Sequence, residues 1–197
     1  MKWTIPGTVL QIRREDADSV EDLFSSMFLA GGMVLSQVAS VTGLEPYTVQ
    51  NWVKRGFLPP PERKRYSMRQ LCRIININML KSALTLERIC GLLEYINGAL
   101  DNEDDDIIDD SVLYFLFVKL AARARQLDDP VAWENALEES LADYTEPVPG
   151  AKARIENALR VMLTAWIAAR MRAEAEKMLS MLEQKDPTEK TVANTIL

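Results

Sequence analysis

The 197-residue sequence contains no histidine. That absence removes imidazole acid–base chemistry, serine and cysteine nucleophiles that depend on an imidazole partner, and most transition-metal sites. Cysteine is scarce as well. Cys72 and Cys90 form no CxxC pair, and each sits among apolar residues at helical spacing, as reduced core thiols do. No apolar run is long enough to cross a bilayer; the densest, Val112–Val118, has seven residues. The opening residues, MKWTIPGTVLQIRREDAD, hold acids and no apolar h-region, so a secretory leader is not expected. A glycine-rich phosphate loop and a carboxylate pair in catalytic context are also missing. These absences point to a cytoplasmic protein that is not an enzyme, needs no cofactor or metal, and has no membrane partner.

What is present is an uneven distribution of charge. The formal net charge is −6, yet residues 45–90 carry nine Lys or Arg against three Glu, a local +6. Residues 91–146 carry three against fifteen, a local −12. The flanks are nearly neutral, at −2 for 1–44 and +2 for 147–197. A basic segment therefore runs directly into an acidic one.

Helical periodicity covers most of the chain. Residues 1–18 read as extended or loose. Ser19 caps a short helix with Val20, Leu23, Phe24, Met27 and Phe28 on one face, stopped by Gly31-Gly32. Two short helices follow, SQVASVTG and EPYTVQNWVKRG, the first ended by Gly43 and the second opened by Pro46 and ended by Gly56. FLPPPERKRYS cannot be helical, and reads as two brief extended pieces near 57–58 and 65–66 joined by a basic loop. Ser67 and Gln70 form a capping box ahead of a helix rich in Leu and Ile, where Asn76 and Asn78 are either exposed or bonded to nearby loops. Thr85 caps the next helix, with Leu86, Ile89, Leu93 and Ile96 in its stripe.

The acidic run DNEDDDIIDD, residues 101–110, departs from a calcium loop. It has Asp106 where the glycine belongs and no terminal Glu. It reads as a solvated linker whose last acids suit a helix N-terminus, with folding back onto the basic segment as an alternative. Helices over 111–127 and 130–144 precede one very long helix from Ala151 to about Lys185, and 186–197 reads as a frayed tail. On the long helix Ile155, Leu159, Met162, Trp166, Ala169 and Ala173 alternate at four and three, the spacing of a seam between two helices, and are expected to meet a second copy. Met178, Leu179 and Leu182 continue out of that register.

The two short helices meet the requirements of a helix-turn-helix. Ala39 is small where the helices cross, Gly43 tolerates the turn, and Val49 seals the crossing, with Val38, Leu44 and Trp52 as further anchors. Tyr47, Thr48, Gln50, Asn51, Lys54 and Arg55 would then face outward, all able to reach bases or phosphates. Arg63, Lys64, Arg65 and Tyr66 would form a basic wing beside the duplex.

The ordered set LSQVASVTGLEPYTVQNWVKRGFLPPP, KRYSMRQLCRI and LTLERICGLL, from Leu35 to Leu93, resembles the DNA-binding domain of the MerR family of transcription regulators. Through GGMVLSQVASVTGL, QNWVKRG, RIININML and DDDIIDD, residues 19–120 resemble more closely a bacterial MerR-like family catalogued as a domain of unknown function. The resemblance implies a winged helix-turn-helix and double-stranded DNA as partner. It implies no ligand. The loop between Leu58 and Tyr66 is shorter than the usual wing. Gln50-Asn51-Trp52 stands where Arg-Tyr-Tyr is usual, so sequence preference does not transfer. Two helices also intervene before the long one.

The expectation is thus a mainly α protein with a MerR-like unit over 19–100, an acidic linker over 101–110 and a helical dimerisation or sensing region over 111–185. Its expected role is transcription regulation as a homodimer, with helix 46–55 in the major groove and a wing at 59–66. An unknown small-molecule effector is a further expected partner, with Trp133, Trp166, Tyr114 and Phe115 as candidate lining. The alternative function is a protein-interaction module using the same fold or the acidic segment.

Overall fold

The computed structural model describes residues 2–98, 100, 106–123 and 130–184. The described residues are mainly helical, in the order β1 (Lys2–Thr4), β2 (Gln11–Arg13), a 3₁₀ turn (Arg14–Ser19), α1 (Val20–Met27), α2 (Leu35–Thr42), α3 (Pro46–Lys54), α4 (Met68–Leu80), α5 (Leu86–Asn97), α6 (Asp110–Arg123), α7 (Pro130–Ser140) and α8 (Ala151–Gln184). The tail 186–197 lies outside the described residues, as do residues 101–105 of the acidic run.

α4 is the centre of the molecule. Its capping box forms as expected: Ser67 Oγ accepts from Gln70 N–H at 3.2 Å, and Gln70 Oε1 accepts from Ser67 N–H at 2.9 Å. Leu71, Ile74, Ile75, Ile77 and Leu80 are fully buried, so apolar residues cover more than one face. A helix apolar on several sides must be surrounded. α2 and α5 pack on it from the chain's basic half, α6 and α8 from its helical half. Both cysteines are buried free thiols, and burial raises the pKa of each.

The first 18 residues, expected to be extended or loose, hold two short extended strands. β1 pairs antiparallel with β2, and Trp3 and Ile5 enter the core. Tyr114 Oη donates to Pro6 O at 2.9 Å. Asn78 Nδ2 donates to both Gly7 O and Thr42 O at 2.9 Å, tying the hairpin loop to the end of α2. Gly7 sits at φ 73°, where an added Cβ would lie 2.6 Å from Ile75 O, so only glycine lets the loop lie on α4. Asn76 behaves otherwise. It is fully buried, and neither amide atom has a hydrogen-bond partner.

The long helix also departs from expectation. Ile155, Leu159 and Met162 are fully buried, and Trp166 is nearly so, its ring edge-on to Phe117 at 5.9 Å. The first four seam residues are covered by the chain's own α4, α5 and α6 rather than by a second copy. Heptad spacing marks a face that packs on helices, whichever chain supplies them. Ala169 is half-buried and Ala173 exposed, and from Ile167 to Leu182 no residue of α8 is buried. A helix of 34 residues is about 51 Å long, so roughly half of it extends beyond the core.

Tyr114 and Phe115 pack with Phe24 in the core, with ring centroids 5.6–5.7 Å apart. Trp133 is half-buried with an unpartnered Nε1. Of the four aromatics considered as effector lining, Trp166 reaches a cleft of about 690 Å³ beside Trp3 and Arg170.

Candidate nucleic-acid interface

α2 and α3 pack against each other and are joined by three residues. Gly43 caps α2 in the left-handed region at φ 69°, and its N–H donates to Ala39 O at 2.8 Å. An added Cβ would lie 2.7 Å from Val9 Cγ1, a methyl of an exposed side chain that would have to shift. Gln37 Oε1 accepts from Val34 N–H at 2.9 Å and steadies the start of α2. Val38, Leu44, Val49 and Trp52 are buried and Ala39 is half-buried. α3 begins with Pro46 at its first position, and Gly56 follows its end at φ 77°.

The outward face of α3 carries the polar set. Tyr47 is 69% exposed, Gln50, Asn51, Lys54 and Arg55 are exposed, and Thr48 is half-buried. Arg55 is engaged: its Nη2 donates to Glu87 Oε1 at 3.0 Å, and its guanidinium lies 4.5 Å from the Phe57 ring centre. Exposed pairs of this kind contribute about 0–1 kcal/mol, so a phosphate can take the guanidinium over. Lys81 lies 5.9 Å from the centre of Trp52, and partial burial lowers its pKa.

The segment after α3, expected as two brief extended pieces near 57–58 and 65–66, pairs with a different part of the chain. Leu58 is buried and makes no strand pairing. Pro59, Pro60 and Pro61 have no N–H to offer a ladder. Tyr66 therefore pairs with Met33, just upstream of α2, through bonds of 2.9 and 2.7 Å. Glu62 and Arg65 close a tight turn at 2.8 Å, with Arg63 and Lys64 both in the left-handed region at φ 48° and 63°. Such a turn normally uses Asn or Gly. Here it lifts two cationic side chains into solvent. Arg65 Nη1 donates to Gly32 O at 2.7 Å. Tyr66, expected to face a duplex, is 3% exposed and belongs to the core, where burial raises its pKa.

Two arginines of α4 that the sequence did not single out organise the opposite side of this turn. Arg69 pairs with Asp106 and lies 3.8 Å from Asp109 and 3.9 Å from Asp110. Arg73 Nη1 donates to Asp110 Oδ2 at 3.3 Å inside the protein. Burial raises the Asp110 pKa, and Arg73 and Arg69 oppose that rise. The end of the acidic run is thus docked on the basic segment rather than solvated. The available signal was Arg69 and Arg73 four apart, the two cations of a helix rich in Leu and Ile.

Residues 22–117 match the model of a family described as "Domain of unknown function (DUF1836)". An uncharacterized protein of Bacillus subtilis (strain 168), YkrK, is 27% identical over 116 residues, which cover 57% of this chain and 50% of that protein. The chain thus spans about half the length of the curated relative it matches. No solved structure matches. Among the described residues, no helix is long and apolar enough to cross a membrane.

Proposed function

We propose that the protein is a sequence-specific, DNA-binding transcriptional regulator in which α2 and α3 act as a helix-turn-helix and the 59–66 segment as its short wing. One observation carries this reading. Lys54, on the outer face of α3, and Arg63 and Lys64, in the turn after it, are exposed and have no ion-pair partner among the described residues, in a chain of net charge −6. Beside them stand Tyr47, Gln50 and Asn51, groups that reach base edges. The recognition helix would lie in the major groove, and Arg63 and Lys64 would hold phosphates beside it.

A dimer suits this reading, because one such unit buries little surface on DNA. The part of α8 left uncovered offers a seam. Ala168, Met171, Ala175, Met178 and Leu182 are exposed and spaced three, four, three and four. Met178 and Leu182, which ran out of register in the sequence, would then lie in the dimer contact, in place of Ile155, Leu159, Met162 and Trp166.

The test is binding to labelled genomic fragments at a series of salt concentrations. Affinity falls steeply with salt, and Lys54→Ala weakens binding and lowers the salt slope by about one. Absence of binding to every fragment at low salt would sink the proposal.

A further inference from the structure

A cleft of about 640 Å³ opens behind the 62–65 turn, within the size range of sites for small molecules. Most of its walls come from four places, the turn, the start of α4, the end of α5 and the residues leading into α6, with Gly32 and Pro59 beside them. Arg63, Arg65, Arg69 and Arg73 line it, against the acids Glu62, Asp106 and Asp110. Asp106 pairs with Arg69 and Asp110 with Arg73. Among the described lining residues, that leaves two arginines against Glu62. The Arg65 guanidinium keeps a single bond to Gly32 O, and Arg63 has no ion-pair partner among the described residues.

The deep wall carries two further signals. Asn97 and Asp110 are 3% and 1% exposed, and each has a polar atom without a hydrogen-bond partner: Asn97 Nδ2, a donor, and Asp110 Oδ1, an acceptor. Their other oxygens are used, Asn97 Oδ1 by Ile108 N–H at 3.3 Å and Asp110 Oδ2 by Arg73. Unpartnered buried polar atoms are costly and uncommon in native proteins. A hydroxyl group both accepts and donates, so it satisfies this pair, directly or through one water. An anionic oxygen group satisfies the surplus arginine.

We propose that this cleft binds a small hydroxylated anion, with the anionic group on Arg63 and Arg65 and hydroxyl groups toward Asn97 and Asp110. The shared chemistry occurs in hydroxycarboxylates and in sugar phosphates. The site has a consequence that rests on the DNA-binding reading. Arg63 belongs to both the cleft and the duplex-facing turn, so ligand and DNA compete for it. Occupancy lowers DNA affinity, and by linkage DNA lowers ligand affinity by the same factor.

Calorimetric titration of the full chain at constant ionic strength tests the site without DNA. The probes are malate and gluconate for one source, glucose 6-phosphate for the other, and acetate and sulfate as anions lacking a hydroxyl. Saturable binding of at least one hydroxylated probe is expected at roughly millimolar concentration or below. Arg63→Asn, which tolerates the left-handed backbone, should weaken it about tenfold, while thermal unfolding stays unchanged. Binding of no hydroxylated probe, equal binding of acetate or sulfate, or binding indifferent to Arg63→Asn would each overturn the site. Anisotropy of labelled DNA, with and without the bound probe, then reads the competition, which unchanged DNA affinity would refute. Failure to bind DNA at all would sink the regulatory reading while leaving the calorimetric result intact.

Discussion

Replacing Arg73 by methionine isolates the energetics of the buried pair on which the acidic segment is docked. Methionine keeps the volume of the stem and removes the guanidinium, and with it the donors to Asp110 Oδ2 and to Phe57 O. Removing one partner of a buried ion pair costs about 3–5 kcal/mol, because the remaining charge is stranded. Arg69 stays 3.9 Å from Asp110 Oδ2, so the lower end applies, about 3 kcal/mol. For a chain of this length that lowers Tm by about 6–12 °C, read by far-ultraviolet circular dichroism. The loss should depend on pH, with a definite sign. The folded-state pKa of Asp110 is already above its ordinary value through burial, and losing Arg73 moves it further up. The folded form then binds the proton more tightly than the unfolded form. The deficit is therefore full above the folded pKa and shrinks as pH falls through it, so Arg73→Met is closer to wild type at about pH 5 than at about pH 8. Adding Asp110→Asn removes the stranded charge and should recover most of the stability at the higher pH. A loss below about 1 kcal/mol, with no pH dependence, would refute the buried pair as described.

Three other outcomes follow from the packing. Asn76→Leu should stabilise the protein by about 1–3 kcal/mol, since it removes two buried amide atoms that have no partner; the urea midpoint rises and the m value stays constant. Gly7→Ala should destabilise it by about 2–4 kcal/mol in the same assay, combining a left-handed backbone with a clash against Ile75 O. Met178→Glu with Leu182→Glu, both on the uncovered part of α8, should shift sedimentation toward the monomer and leave thermal unfolding of the monomer core unchanged.

Local chemistry was what the sequence displayed well. The Ser67–Gln70 box, the Gly43 cap, the Pro46 start and the Thr85 cap are each decided within four residues, and each is present. Long-range pairing was less legible. β1 and β2 have three residues apiece, too few for alternation to register, and bonds from Asn78 and Tyr114 hold their loop from far along the chain. Tyr66 looked like part of a basic surface because its neighbours are cationic, yet its backbone pairing with Met33 turns its ring inward. Ile155 to Trp166 showed a seam but not its occupant, since periodicity reports that a face is covered and not by which chain. The cleft depends on four separated segments, and only the i,i+4 spacing of Arg69 and Arg73 hinted at it.

The bond from Tyr114 to Pro6 spans 108 residues. During synthesis at about 5–20 residues per second, α2 and α3 leave the ribosome well before the helix that carries Tyr114. α4, on which both α2 and the Gly7 loop rest, keeps an apolar side open until α6 arrives to cover it. The surface proposed to meet DNA is therefore completed late, after more than half of the chain has been made. A nascent chain stopped before residue 114 would carry every proposed DNA contact and lack the support that aims them.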